Sequence, residues 1–365
     1  MTRARVDQIV LSETPWYHVV NRCVRRAFLC GVDDISGQNY EHRREWIEQR
    51  IMQLASVFTI DIASFAIMNN HYHIVLRVDK AKADALSVDE VLNLWTQLFA
   101  GNPLVQRYLE NPAGADTSML ESVNEFAEVY RERLYDISWF MRVLNESIAR
   151  MANKEDGVKG RFWEGRFKSQ ALLDEQAVIS VMAYVDLNPV RAGMANGLTD
   201  SDYTSIQRRV EGRYEEACLP GDKPSMSLVM GLQVDQDYKG DELAQVFLER
   251  LSKIPFSGLM QFAIDTVEAN IIPFSKEDYF EFVDYLGRAV HPNKRGVISE
   301  EVPTIMEVLN LSTKMVDRFC NGRLLSVFGD AIGSPAQLEA HCVQKKTSHC
   351  KGMHASRDLY VARAL

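Results

Sequence analysis

The chain has 365 residues, with 41 basic and 50 acidic side chains and a formal net charge of −9. That length allows a sizeable core and two domains, and the acidic balance argues against a general polyanion binder with a basic surface all round. No apolar run is long enough to span a bilayer and no secretory leader is evident, so a cytoplasmic protein with reduced cysteines and no membrane partner is expected.

In chain order, residues 17–24 read as a first strand, and Arg22, Arg25 and Arg26 form a basic cluster beside it. Residues 41–57 predict a helix, because Trp46, Ile47, Ile51 and Leu54 recur at helical spacing. Residues 58–67 are rich in β-branched and aromatic side chains and predict a second strand. Asn69-Asn70 then predicts a tight hairpin turn, since Asn tolerates positive φ.

Residues 71–78 predict a third strand, and side chains on a strand alternate between its faces. Tyr72, Ile74, Leu76 and Val78 share the face expected to pack on helices; His71, His73, Val75 and Arg77 share the other. Two imidazoles on one face can reach one ion, and imidazole is the commonest metal ligand. Two ligands alone do not make a site, so a third must come from elsewhere.

Residues 80–135 read as an insertion, with helical stretches near 88–99 and 121–133 and a Gly/Asn/Pro-rich break at 101–116. A clear amphipathic helix follows from Ile137 to Met151 by its apolar spacing. Residues 161–173 predict a fourth strand. Its start carries Arg161, Arg166 and Lys168, with Trp163 and two phenylalanines interleaved. Basic groups suit phosphates and aromatic rings stack on unpaired bases, which suggests contact with single-stranded nucleic acid; a solvated strand with a packed Trp is the plainer alternative. Arg166 and Lys168 point the same way on an ideal strand and are the first choice as phosphate contacts, with Trp163 expected to be packed.

Residues 174–188 predict a helix ended by Pro189. Tyr184 and Asn188 are four apart and so share one helical face. If this helix crosses the imidazole face of the sheet, the Asn188 carbonyl oxygen supplies a third ligand, with Tyr184 one turn away. Taken singly, Tyr184 equally suits a core tyrosine, and Asn188 a cap before a proline.

Three segments in order, MNNHYHIVL at 68–76, GRFWEGRFKS at 160–169 and YVDLNPVRAGM at 184–194, together resemble the single-tyrosine HUH transposases, especially the REP-associated tyrosine transposases. The resemblance spans roughly residues 15–210. It implies a ferredoxin-like antiparallel sheet, the HUH endonuclease core, within an α+β fold. It implies Mg²⁺ or Mn²⁺ held by His71, His73 and Asn188, and Tyr184 as a nucleophile that leaves a 5′-phosphotyrosine and a free 3′-OH. The implied partner is single-stranded or hairpin DNA. Tyr72 departs from the hydrophobic residue usual between the two histidines.

On this reading residues 1–215 form the catalytic domain, 216–224 a linker, and 216–365 a mostly α-helical region of unknown role, with helices expected near 241–253 and 257–269. The run 305–319 is read as ordinary helical packing in preference to a helix-turn-helix. His341, Cys342, His349, Cys350 and His354 fit no common zinc spacing. The rival to a DNA-cutting enzyme is a domesticated DNA- or RNA-binding regulator that has lost strand transfer. A hydrolase of small phosphodiesters leaves the aromatic and basic strand unexplained. Monomer and dimer stay equally open.

Overall fold

Asn69 and Asn70 are the two loop residues of the predicted hairpin, but neither takes the positive φ on which that expectation rested. They join β2 (Ile60–Ile67) to β3 (His71–Val78), and the Met68 N–H donates to the His71 carbonyl at 2.8 Å. The computed structural model describes residues 8–24, 29–32, 37–214, 250–251, 253–263, 271–290, 306–307, 311–312 and 314–360. Arg25, Arg26, the expected linker at 216–224 and most of the helix expected near 241–253 (residues 241–249 and 252) lie outside the described residues.

The fold is α+β, built on one five-stranded sheet of order β2-β3-β1-β4-β5. β1 (Trp16–Arg22) is central and antiparallel to both β3 and β4 (Lys168–Leu172); β5 (Ala331–Ile332) adds in parallel to β4. In register, Val20 lies opposite His73, Arg22 opposite His71, and His18 opposite Gln170. Paired residues point to the same side of a sheet. The register therefore gathers His18, His71, His73, Gln170 and Lys168 on one face.

The opposite face is apolar and helix-covered, as the alternation predicts. Tyr17, Val19, Tyr72, Ile74 and Leu76 are fully buried there. α1 (His42–Val57) and α6 (Ile137–Glu155) pack on this side. Asn145 of α6 joins helix to sheet, because its Oδ1 accepts from both Asn21 Nδ2 and the Tyr72 hydroxyl at 2.7 Å. That bond accounts for a tyrosine at this position, where a purely apolar side chain would leave Asn145 one partner short.

The insertion folds as α2 (Lys80–Ala85), α3 (Val88–Leu98), α4 (Pro103–Glu110) and α5 (Thr117–Leu134). α4 falls inside the stretch read as a break. Its proline sits in the first turn, where the missing N–H is harmless, and Asn102 caps it by accepting from the Leu104 N–H at 2.8 Å.

α7 (Glu175–Asp186) lies on the imidazole face, so helices flank both sides of the sheet. Asp174 caps it by accepting from the Ala177 N–H at 2.9 Å. Every residue from Ala177 to Asp186 is buried, because α7 is covered in turn by α10 (Lys276–Val290). Each buried Val, Ile or Met contributes roughly 1.5–3 kcal/mol. The fully buried Asp186 carboxylate accepts from Ser205 Oγ and the Tyr279 hydroxyl at 2.5 Å, tying α7 to α9 (Ser205–Val210) and α10.

Two expectations need correction here. Pro189 does not close the tyrosine helix: α7 ends at Asp186, and Pro189 stands in the first turn of α8 (Asn188–Arg191). Residues 257–263 are not helical. They run beside the sheet edge, with the Met260 N–H donating to the Ile62 carbonyl at 2.9 Å, next to the irregularity in β2 between Ile62 and Ser64.

Further along, α11 (Lys314–Cys320) packs Met315 and Phe319 into the core; α12 (Pro335–Gln344) and α13 (Met353–Leu359) follow β5. Cys342 and Cys350 are paired as a disulfide, and Cys23, Cys30 and Cys320 are free thiols. Among the described residues, no helix is long and apolar enough to cross a membrane.

Candidate functional site

The three imidazoles on the α7 side of the sheet touch in series. His71 and His73 ring centroids are 4.9 Å apart, and those of His73 and His18 are 5.1 Å apart. His73 Nδ1 lies 2.8 Å from His18 Nε2, His18 Nδ1 lies 3.1 Å from Gln170 Oε1, and His71 Nδ1 lies 2.6 Å from Asn70 Oδ1. Burial pushes His18 and His71 down to about 4, the latter helped by the nearby Arg22 and Arg191 guanidinium groups. Burial, the two neighbouring imidazoles and the same arginines hold His73 well below its ordinary value. All three rings are therefore neutral near neutral pH, the form that binds metal.

α7 carries Tyr184 over this face. Its ring centroid is 6.2 Å from that of His73, and only 7% of the residue is exposed. Burial raises the phenol's pKa, and the positive charge of Arg191 opposes that rise. The Arg191 guanidinium lies 4.9 Å from the Tyr184 ring centroid, and its Nη2 donates to the Tyr184 hydroxyl at 3.1 Å and to Asn188 Oδ1 at 2.5 Å. One nitrogen thus bridges the two side chains, which confirms that Tyr184 and Asn188 share a face across the break between α7 and α8. The Asn188 Nδ2 is buried with no hydrogen-bond partner among the described residues.

Residues beyond the third motif close over the tyrosine. Phe319 sits 6.1 Å from Tyr184 between ring centroids, and the Tyr184 hydroxyl donates to the Gly322 carbonyl at 3.4 Å. Gly322 has φ +61, and a Cβ there would run into Arg191 Nη1. The left-handed backbone there favours glycine, and any larger residue would also have to displace the tip of the Arg191 side chain.

Arg191, His18 and Gln170 were not foreseen. Arg191 follows Tyr184 and Asn188 at i+7 and i+3 on one helical face, a signal present in the motif itself. His18 shares a face with Arg22 on the first strand, but its approach to His73 depends on strand register, which no local pattern reveals.

The predicted DNA contacts separate. The fourth strand spans only Lys168–Leu172. Before it, Trp163 bridges Cys23 while Lys168 pairs with Val20, so two extra residues intervene on this side and the pairing is broken around Gly165. Arg161 is exposed, but its guanidinium folds back on its own loop, donating through Nε to the Trp163 carbonyl at 2.7 Å and through Nη2 to the Glu164 carbonyl. Trp163 is packed, edge-on to Tyr72 at 5.7 Å, with its Nε1–H donated to the Asn145 carbonyl at 2.8 Å. Arg22, Arg166 and Lys168 are exposed, and Lys168 lies on the imidazole face of the sheet.

Among the described residues, no three His, Cys, Asp or Glu side chains cluster so as to hold a metal ion. The candidate donor set is His71 and His73 completed by the Asn188 amide.

No protein-family model matches the chain, and no curated protein matches it. A solved structure of a REP-associated tyrosine transposase bound to a REP hairpin aligns at 14% identity and a TM-score of 0.32, over 54% of this chain and 78% of that one.

Proposed function

We propose that this chain is a divalent-metal-dependent single-strand DNA endonuclease and strand transferase. Tyr184 is its nucleophile, and His71, His73 and Asn188 hold Mg²⁺ or Mn²⁺. The observation that carries the reading is the meeting of Tyr184 with His73 on one sheet face, with Arg191 joining Tyr184 to Asn188. The strand order β2-β3-β1-β4 supports a ferredoxin-like core beneath the site.

The donor set fits a metal. Two neutral imidazoles lie in ring contact on the face that carries the tyrosine, and the Asn188 Oδ1, which accepts from Arg191, is the oxygen that would complete the set. A site of two nitrogens and one neutral oxygen suits Mn²⁺ better than the harder Mg²⁺. When bound, the ion supplies Lewis-acid polarisation of the scissile phosphate.

The chain's own groups carry the rest. Tyr184 Oη loses its proton to solvent and forms the new bond to phosphorus, while the P–O3′ bond breaks and the leaving oxygen takes up a proton as the free 3′-OH. Arg191, already donating to that phenol oxygen, stabilises the phenolate as it forms. The 5′-phosphotyrosine retains the bond energy of the phosphodiester, so attack by another 3′-OH reverses the step and joins a new strand. Exposed Arg22, Arg166 and Lys168 serve the DNA backbone.

The test is incubation of the protein with end-labelled single-stranded DNA hairpins, with and without Mn²⁺. Cleavage that appears with Mn²⁺, stops with chelator and leaves a free 3′-OH supports the reading. DNA left intact under all metal conditions, yet bound, replaces it with a binding protein.

A further inference from the structure

We propose that His18 and Gln170 are positioning residues for His73, forming a relay that fixes which of its ring nitrogens bears the proton and leaves Nε2 bare for a metal. The inference rests on His73 being a metal ligand as read above.

The direction of the relay follows from counting donors. The Gln170 Nε2 donates both of its hydrogens, to the Gly329 carbonyl at 2.9 Å and the Leu325 carbonyl at 3.1 Å. The reversed amide would set an oxygen against two carbonyl oxygens, so the Gln170 amide has one orientation. Its Oε1 accepts only, and it faces His18 Nδ1 at 3.1 Å. His18 therefore carries its proton on Nδ1. The ring is 2% exposed, and its two nitrogens face an amide oxygen and an imidazole with no carboxylate bonded to it among the described residues, so burial favours the neutral ring, whose Nε2 has a lone pair and no hydrogen. That lone pair faces His73 Nδ1 at 2.8 Å, which makes His73 Nδ1 the donor. A neutral His73 protonated on Nδ1 keeps its lone pair on Nε2.

His71 reaches the same state by a shorter route. Its Nδ1 lies 2.6 Å from Asn70 Oδ1, an acceptor, and its Nε2 is left bare. The two imidazoles thus offer the same nitrogen. A ligand nitrogen held by a hydrogen bond on the other side of its ring is the usual way an imidazole is oriented toward metal.

The relay ends in carbonyls of the turn before β5, outside the stretch that carries the transposase resemblance. The C-terminal residues thereby set the state of a group two strands away.

The test uses the full chain labelled with ¹⁵N in its eight histidines. Long-range ¹H–¹⁵N correlation of the metal-free protein near neutral pH reads each tautomer directly. Both His18 and His73 are expected to be protonated on Nδ1. His18→Leu removes the acceptor, and His73 becomes a mixture of tautomers. Mn²⁺ affinity, read from paramagnetic broadening of His71 and His73, falls about 10- to 100-fold, the range for loss of an orienting partner. His18→Gln offers an amide oxygen at the place of Nε2 and an N–H toward Gln170, and restores both the tautomer and the affinity.

Wild-type His73 protonated on Nε2 overturns the relay without any variant. So does His18→Leu with tautomer and affinity unchanged. If the wild-type tautomers are as described but Mn²⁺ broadens neither His71 nor His73, the metal-site reading fails, and the positioning role falls with it.

Discussion

Tyr184 on α7 and His73 on β3 stand edge to face, with ring centroids 6.2 Å apart. They come from motifs more than a hundred residues apart, and what joins them is the sheet register below and Arg191 above. The predictions that follow each remove one part of that arrangement.

The metal set is the first. His71→Ala and His73→Ala are expected to abolish cleavage that depends on Mn²⁺ or Mg²⁺, because each removes one of two nitrogen donors. Asn188→Ala is expected to reduce it less, about tenfold, since water replaces a neutral oxygen ligand. Cleavage titrated against Mn²⁺ concentration checks this. Equal loss in all three variants points to a structural role for Asn188.

Arg191 is the second. Its charge opposes the burial that raises the Tyr184 pKa. Arg191→Ala removes that opposition, so the pKa rises further and the alkaline rise in cleavage rate moves to higher pH. The rate near neutral pH is expected to fall about 10²-fold, as for loss of one donor to a developing oxyanion. A pH profile superimposable on wild type rejects the role.

The buried imidazoles make the metal-free protein sensitive to acid. His18 and His71 are held down to about 4, below the ordinary value near 6.5. The unfolded chain therefore takes up protons first as pH falls. The stability these groups contribute is complete above about 6.5 and is lost as pH drops through about 4. At pH 5 each contributes a loss of roughly 2 kcal/mol relative to neutral pH. Asp186, pushed up to about 6 by burial, works oppositely and recovers roughly 1 kcal/mol over the same interval. Denaturant unfolding at pH 7 and pH 5 measures the net loss, and His18→Gln is expected to reduce it.

DNA contact is assigned to the exposed groups. Arg166→Ala with Lys168→Ala is expected to weaken binding to all single strands alike and to lower the salt slope by about 0.7 per lost phosphate contact. Arg161→Ala is expected to leave that slope unchanged, because its guanidinium is held by its own loop. Binding isotherms at several salt concentrations decide between them.

Much of the frame was legible in the chain. The alternation at 71–78 separated the apolar face of β3 from the imidazole face, and periodicity located α1 and α6. Asp174 marked the start of α7. What stayed hidden depended on partners distant in sequence. The broken pairing around Gly165 shortened the fourth strand, and two residues at 331–332 are too few to read as a strand at all. His18 looked like any residue of a first strand until register set it against His73. The extended run at 257–263 is dictated by the exposed edge of β2, an influence no local pattern carries. Arg191 was legible in principle, because its spacing from Tyr184 and Asn188 is helical.

The central claim is that Tyr184 becomes covalently joined to DNA. The direct measurement mixes the protein, Mn²⁺ and a labelled single-stranded hairpin, isolates any protein–DNA adduct under denaturing conditions, and maps the modified peptide by mass spectrometry. The account predicts an adduct on Tyr184, and none with Tyr184→Phe, which still folds and binds the same DNA. A DNA adduct on another residue, or cleavage at the wild-type rate by Tyr184→Phe, contradicts it.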